Sequence, residues 1–110
     1  MEYVNYKMGW LVVFFDLPTT TPEERRNYIH FRNQLLEDGY TMVQYSVYAR
    51  PCVTHERMAT HSRRIQKMIP PDGSVRCMFV TIIQWDIMFV FHGKSKPPQD
   101  ISMPEQMLLW

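Results

Sequence analysis

The chain has 110 residues, of which 45% are apolar and 21% charged, with a formal charge of +1 and two cysteines. That balance suits one globular domain and excludes disordered, collagen-like and membrane-spanning classes, since the longest apolar run, Trp10–Phe15, is far too short to cross a bilayer. A near-neutral chain gains a nucleic-acid surface only by local clustering of charge or by pairing two subunits. No small-residue cleavage site follows the apolar run, so a cytoplasmic location without a membrane partner is expected.

Residues 1–7 (MEYVNYK) show no pattern that a following strand needs, and Met8 is a second position at which translation could start. The run Trp10–Pro18 (WLVVFFDLP) predicts a buried strand that ends at Asp16 and leaves through a proline. Thr21, Pro22 and Glu24 then form a helix start, with Thr21 as cap, Pro22 at the first helical position and Glu24 closing a capping box. Tyr28, Phe31 and Leu35, with Ile29 and Leu36, give that helix an apolar face, and Gly39 stops it. Tyr40–Arg50 (YTMVQYSVYAR) reads as strand, long enough to be either one element or two divided near Gln44–Ser46. Thr54 is a cap for a second helix with Met58, Ser62, Ile65 and Ile69 inward, ending before Pro70-Pro71-Asp72-Gly73. Arg76–Ile83 and Ile87–His92 read as two further strands joined by a tight connection at Gln84-Trp85-Asp86.

Strands alternating with two helices predict an α/β (α+β) ferredoxin-like sandwich, an antiparallel sheet with two helices on one face. The domain spans residues 1–93, and residues 94–110 form a polar, proline-bearing linker and a tail. Cys52 and Cys77 lack metal-site or redox spacing and read as buried thiols at strand positions.

Asp16 is the foremost chemical candidate, because a carboxylate at the rigid mouth of a core strand can hold a divalent ion against a phosphate. The structural alternative is that it caps the Leu17–Thr21 loop. One aspartate is a thin Mg²⁺ site, whereas two copies meeting across a two-fold axis would supply paired carboxylates. Basic charge concentrates between Arg50 and Lys67, where Arg57, His61 and Arg64 fall at i, i+4 and i+7, with Arg63 and Lys67 beside them. Such a stripe suits a phosphate backbone, a solvated helix face being the alternative. On the first helix, Arg25, Arg26 and Arg32 are diluted by Glu23, Glu24, Glu37 and Asp38, although Arg25 and Arg32 share a face. No zinc spacing, phosphate-cradling glycine loop or nucleophile elbow occurs.

Taken together, FFDLP, TTTPEERR, LLEDGY, QYSVYARPC and IPPDGSVRCMFVT resemble, in order over roughly Trp10–Gly93, the second family of CRISPR-associated adaptation proteins, in the form found beside single-effector (type II) systems. The resemblance implies a ferredoxin-like homodimer with two Asp16 side chains near the two-fold axis. It further implies Asp16 as a catalytic Mg²⁺ ligand of a metal-dependent endonuclease acting on RNA or DNA. The same family supplies the non-catalytic body of the spacer-integration complex, which binds duplex DNA and bridges dimers of the integrase. Arg25, Arg26, Arg63 and Arg64 become candidate phosphate contacts on that reading. Phe15 departs from the tyrosine many members carry before the aspartate, and Ile82-Ile83 replaces commonly charged residues. The apolar tail Met107, Leu108, Leu109 and Trp110 needs a partner, and a linker of this length can carry it as a strand to the edge of the other subunit or to the integrase, a tail folded back on its own core being the alternative.

Overall fold

The computed structural model describes residues 8–53, 57–94, 101 and 103. The long apolar run forms β1 (Gly9–Asp16), in which burial alternates toward the strand end as the pleat turns successive side chains to opposite faces. Helix α1 (Pro22–Glu37) starts as the sequence predicts: Thr21 Oγ1 accepts from the Glu24 N–H at 3.1 Å, and Glu24 Oε1 accepts from the Thr21 N–H at 2.9 Å. Two orphan N–H groups of the first turn are thereby satisfied. The C-terminal stop is Gly39, with a φ of 91° that favours glycine.

The long strand-like run is two elements, β2 (Thr41–Gln44) and β3 (Val47–Cys52), divided at a tight turn where Ser46 adopts a φ of 64°. Helix α2 (Arg57–Met68) follows, and the proposed Thr54 cap lies outside the described residues. The chain then forms β4 (Ser74–Thr81) and a short α3 (Ile82–Asp86). All pairings are antiparallel and the four-stranded order is β2-β3-β1-β4, the ferredoxin-like arrangement with β1 internal and β4 at an edge.

One sheet face is the core. Leu11, Val13 and Phe15 of β1, Tyr48 and Cys52 of β3, and Val75, Cys77 and Phe79 of β4 pack against Phe31 and Leu35 of α1 and Ile65 of α2. Fully burying such side chains contributes about 1.5–3 kcal/mol each, which is what fixes the register. The Phe15 ring meets Phe31 edge-on at 5.0 Å and stacks on Tyr48 at 5.8 Å, while Arg32 Nε donates to the Tyr48 hydroxyl at 3.0 Å and so satisfies that buried oxygen.

The opposite face is covered over half its length. Trp85 of α3 stacks on Trp10 at 4.7 Å, Trp85 Nε1 donates to the Ile101 carbonyl at 3.1 Å, and Met103 packs with Trp10 and Ala49. The segment expected to lead away from its own sheet is therefore folded back on it at residues 101 and 103. Met107, Leu108, Leu109 and Trp110 lie outside the described residues.

Several expectations need correction. Ile87–His92 is not a strand: it pairs with nothing among the described residues, and its side chains are exposed, Phe89 at 86% and Phe91 at 87%. The preceding strand ends at Thr81 because Thr81 and Gln84 close a second capping box, turning Ile82–Asp86 into helix where a strand end and a tight connection were expected. Ile29 and Leu36 lie outside the buried face of α1, and Ile69 falls past the end of α2 and is exposed. Cys52 is buried, as expected of a strand thiol, but Cys77 is half-buried.

Candidate functional site

Asp16 is the last residue of β1, and its position is fixed from both sides. The Phe15 N–H donates to the Ser46 carbonyl at 3.0 Å, which anchors the β2–β3 turn beside it. On the other side Asp16 pairs with Ser74, and Gly73, with a φ of 97°, presses so closely that a Cβ there would lie 2.5 Å from the Asp16 carbonyl oxygen. Glycine is required at that approach.

The carboxylate itself is exposed and makes no hydrogen bond or ion pair among the described residues. The loop-capping alternative is filled by other groups. The Thr20 and Thr21 N–H groups donate to Glu24 Oε1, and Arg25 Nη1 donates to the Thr19 and Thr20 carbonyls. Asp16 thus stands at a strand end with no side-chain partner among the described residues. Its fit to Mg²⁺ is that of one protein ligand in a shell completed by phosphate, water or a second chain. No three histidine, cysteine or acidic side chains gather as a metal cluster among the described residues.

Alternation along β1 places Asp16 with Trp10, Val12 and Phe14, on the face opposite the helices. Through the β1–β4 register, Ser74 and Arg76 share that face. Phe14, Asp16, Val47, Ser74, Arg76 and Met78 consequently make up its uncovered half.

The proposed helical phosphate contacts sit elsewhere. Arg26, Arg63 and Lys67 are exposed on α1 and α2, whereas Arg25 is engaged by the loop carbonyls and Arg32 by Tyr48. Arg57 is exposed at the start of α2. Arg64 Nη1 lies 3.2 Å from Asp38 Oδ1, and Arg50 Nη1 lies 3.8 Å from the same oxygen while also donating to the Asp38 carbonyl. Asp38 therefore clamps the end of α1 to α2 and β3. His61 beside this clamp has its pKa lowered by burial and by Arg50, although Asp38 opposes the shift, so the imidazole is held neutral. Burial likewise raises the Tyr40 phenol. The stripe of Arg57, His61 and Arg64 is accordingly part structural: its middle member is uncharged and its last is paired.

Sequence reasoning did not single out Arg76 or Ser74, and it named Ser46 and Gly73 only where a strand divides and where a helix has ended, not for their part in fixing Asp16. The signal for Arg76 was present in the alternation of RCMFV, but only the register joins it to Asp16.

An antiparallel ferredoxin-like sandwich with an exposed carboxylate at the end of an internal strand defines a small α+β domain with one partly open sheet face. The family described as CRISPR associated protein Cas2 matches residues 8–88, and the chain belongs to that family. It is 43% identical over 101 residues to a protein of Parvibaculum lavamentivorans named CRISPR-associated endoribonuclease Cas2, covering 92% of this chain and 99% of the relative. A protein of the same name from Flavobacterium psychrophilum is 40% identical over 104 residues, 94% of this chain and 89% of its own. Another, from Paracidovorax avenae, is 37% identical over 106 residues, 96% and 97% respectively.

Proposed function

We propose that this chain acts in CRISPR adaptation as a homodimeric scaffold that binds duplex DNA and bridges integrase dimers, and that two copies of Asp16 with Mg²⁺ form a phosphodiesterase site. The observation that carries the reading is the solitary free carboxylate. The strand residues of the open half-face include one acid and no second group suited to general-base chemistry, so a single chain is a thin catalyst and pairing with a second copy completes the ligand set. When bound, the ion would supply charge neutralisation at the phosphate and an activated water. The chain's own contribution is to hold Asp16 at fixed orientation between the Ser46 and Gly73 turns.

Pairing of two copies is supported by Ile87, Met88, Phe89, Val90 and Phe91, an exposed apolar run that follows α3, and by the open edge that β4 leaves on the sheet. The exposed cations Arg26, Arg57, Arg63 and Lys67 are the helical contacts offered to a DNA backbone. A second reading, endonuclease action on RNA as the main activity, is supported by the relatives' shared name.

Asp16→Ala separates the two. The variant is expected to fold and sediment as the parent does, to lose Mg²⁺-dependent cleavage of RNA and DNA, and to retain spacer acquisition with the integrase partner. Loss of acquisition by a variant that still folds and still binds the integrase overturns the scaffold assignment.

A further inference from the structure

Of the arginines singled out by charge patterning, all but Arg50 lie on a helix, and both helices cover the sheet face opposite Asp16. Two described strand residues are arginines. Arg50 pairs in register with Leu11, whose side chain belongs to the core face, and it is spent on Asp38. Arg76 pairs with Phe14, two positions from Asp16 along β1, on the uncovered half-face. It is exposed and has no hydrogen bond or ion pair among the described residues.

We infer that Arg76 is the phosphate-binding partner of Asp16: its guanidinium grips a phosphodiester of the nucleic-acid backbone and holds that phosphate over the carboxylate. The inference rests on the nucleic-acid reading above and names a residue for it. Three observations support it. First, Asp16 stands opposite Ser74 and diagonal to Arg76, and diagonal cross-strand neighbours lie about 7–8 Å apart, within reach of a long side chain. Second, the two opposite charges share a face yet form no ion pair, the described salt bridges both ending on Asp38, so each is available to a ligand placed between them. Third, the placement is rigid. Val75 and Cys77 on either side of Arg76 pack against the core, so a one-residue slip that moved Arg76 off this face would put both into water. The planar guanidinium fork suits bidentate contact with a phosphate better than an ammonium does. Ser74, directly opposite Asp16, adds a hydroxyl donor at the same place.

A bland alternative exists for the same residue, because β4 is a sheet edge and a charge on an edge strand deters edge-to-edge aggregation. The two roles differ in what they move. Fluorescence-anisotropy titration of the full chain with a labelled single-stranded RNA and, separately, a labelled DNA duplex, in EDTA and over a salt series, reads binding without cleavage. Arg76→Gln is expected to weaken binding about tenfold, about 1.4 kcal/mol. It should also reduce the slope of log affinity against log salt by about one for each lost phosphate contact. Arg76→Lys should restore the slope but only part of the affinity. The arm that loses more, RNA or duplex, identifies which backbone the site takes.

Unchanged affinity and slope in both arms, with wild-type protein that binds, overturns the inference alone and returns Arg76 to edge protection. Loss of the dimer in sedimentation on Arg76→Gln overturns it in favour of an ion pair between subunits. Wild-type protein that binds neither probe removes the functional reading together with this one.

Discussion

Replacing Gly73 with alanine tests how tightly the structure fixes Asp16. The added Cβ would stand 2.5 Å from the Asp16 carbonyl oxygen and 2.7 Å from Leu17 Cδ2. Leu17 can turn aside, but the carbonyl belongs to the backbone at the strand end. An ordinary carbon–oxygen contact is about 3.3 Å, so the two turns must part by roughly 0.8 Å. Overpacking of this kind costs about 1–3 kcal/mol. The φ of 97° adds about 1–2 kcal/mol for an L-residue, and the stiffer unfolded chain returns about 0.4–1 kcal/mol. The net loss is about 1–5 kcal/mol, a large share of the roughly 5–15 kcal/mol expected of a small domain. Urea unfolding should show this as a lower midpoint at unchanged slope, and thermal unfolding as a fall of roughly 4 °C or more. Because the carbonyl being displaced is that of Asp16, the Mg²⁺-dependent cleavage proposed above should fall even well below the melting transition. A loss under about 0.5 kcal/mol with full activity would refute the close approach and the argument built on it.

Other perturbations reach different parts of the molecule. Asp38→Asn leaves Arg50 and Arg64 without their counter-charge but keeps the carbonyl that Arg50 also uses; for so half-exposed a pair, about 1–2 kcal/mol of stability should be lost, read by urea unfolding. His61 has a folded-state pKa below its ordinary 6.5, so the unfolded chain takes up the proton first. The stability it contributes is present above pH 6.5 and declines as the pH falls through 6.5 toward the folded value. His61→Gln should flatten that part of the profile in unfolding midpoints compared at pH 7.5 and 5.5. Phe89→Ser with Phe91→Ser should shift the protein toward monomer in sedimentation at fixed concentration while leaving its circular dichroism unchanged, since neither ring is part of the buried core.

What could be read without coordinates follows from how local each signal is. The start of α1 was legible because Thr21, Pro22 and Glu24 act within a single turn, and β1 because its six-residue apolar run ends in Asp16 and Pro18. The division of the second strand was left open because a serine at positive φ is imposed by its surroundings, here the bond from Phe15 to the Ser46 carbonyl, and not by its own preference. The misread end of β4 is different. Thr81 and Gln84 obey the same spacing as Thr21 and Glu24, but the apolar run RCMFVTII hid the cap, since short apolar stretches do not distinguish strand from helix. The position of Asp16 at a strand mouth was legible from the apolar run before it, whereas the presence of Arg76 on the same face was not, because only pairing brings the two together.

The two-faced sheet also bears on how defects in this protein would look in a living cell. Substitutions among Leu11, Val13, Phe31, Leu35 or Ile65 act through folding, so their harm should grow with growth temperature and ease when the protein is overproduced. Substitutions at Asp16 or Ser74 lie outside that core, so any loss of the proposed cleavage they cause should be as complete in the cold as in the heat, with spacer acquisition retained. A temperature series alone would thus sort uncharacterised alleles by the face of the sheet they strike.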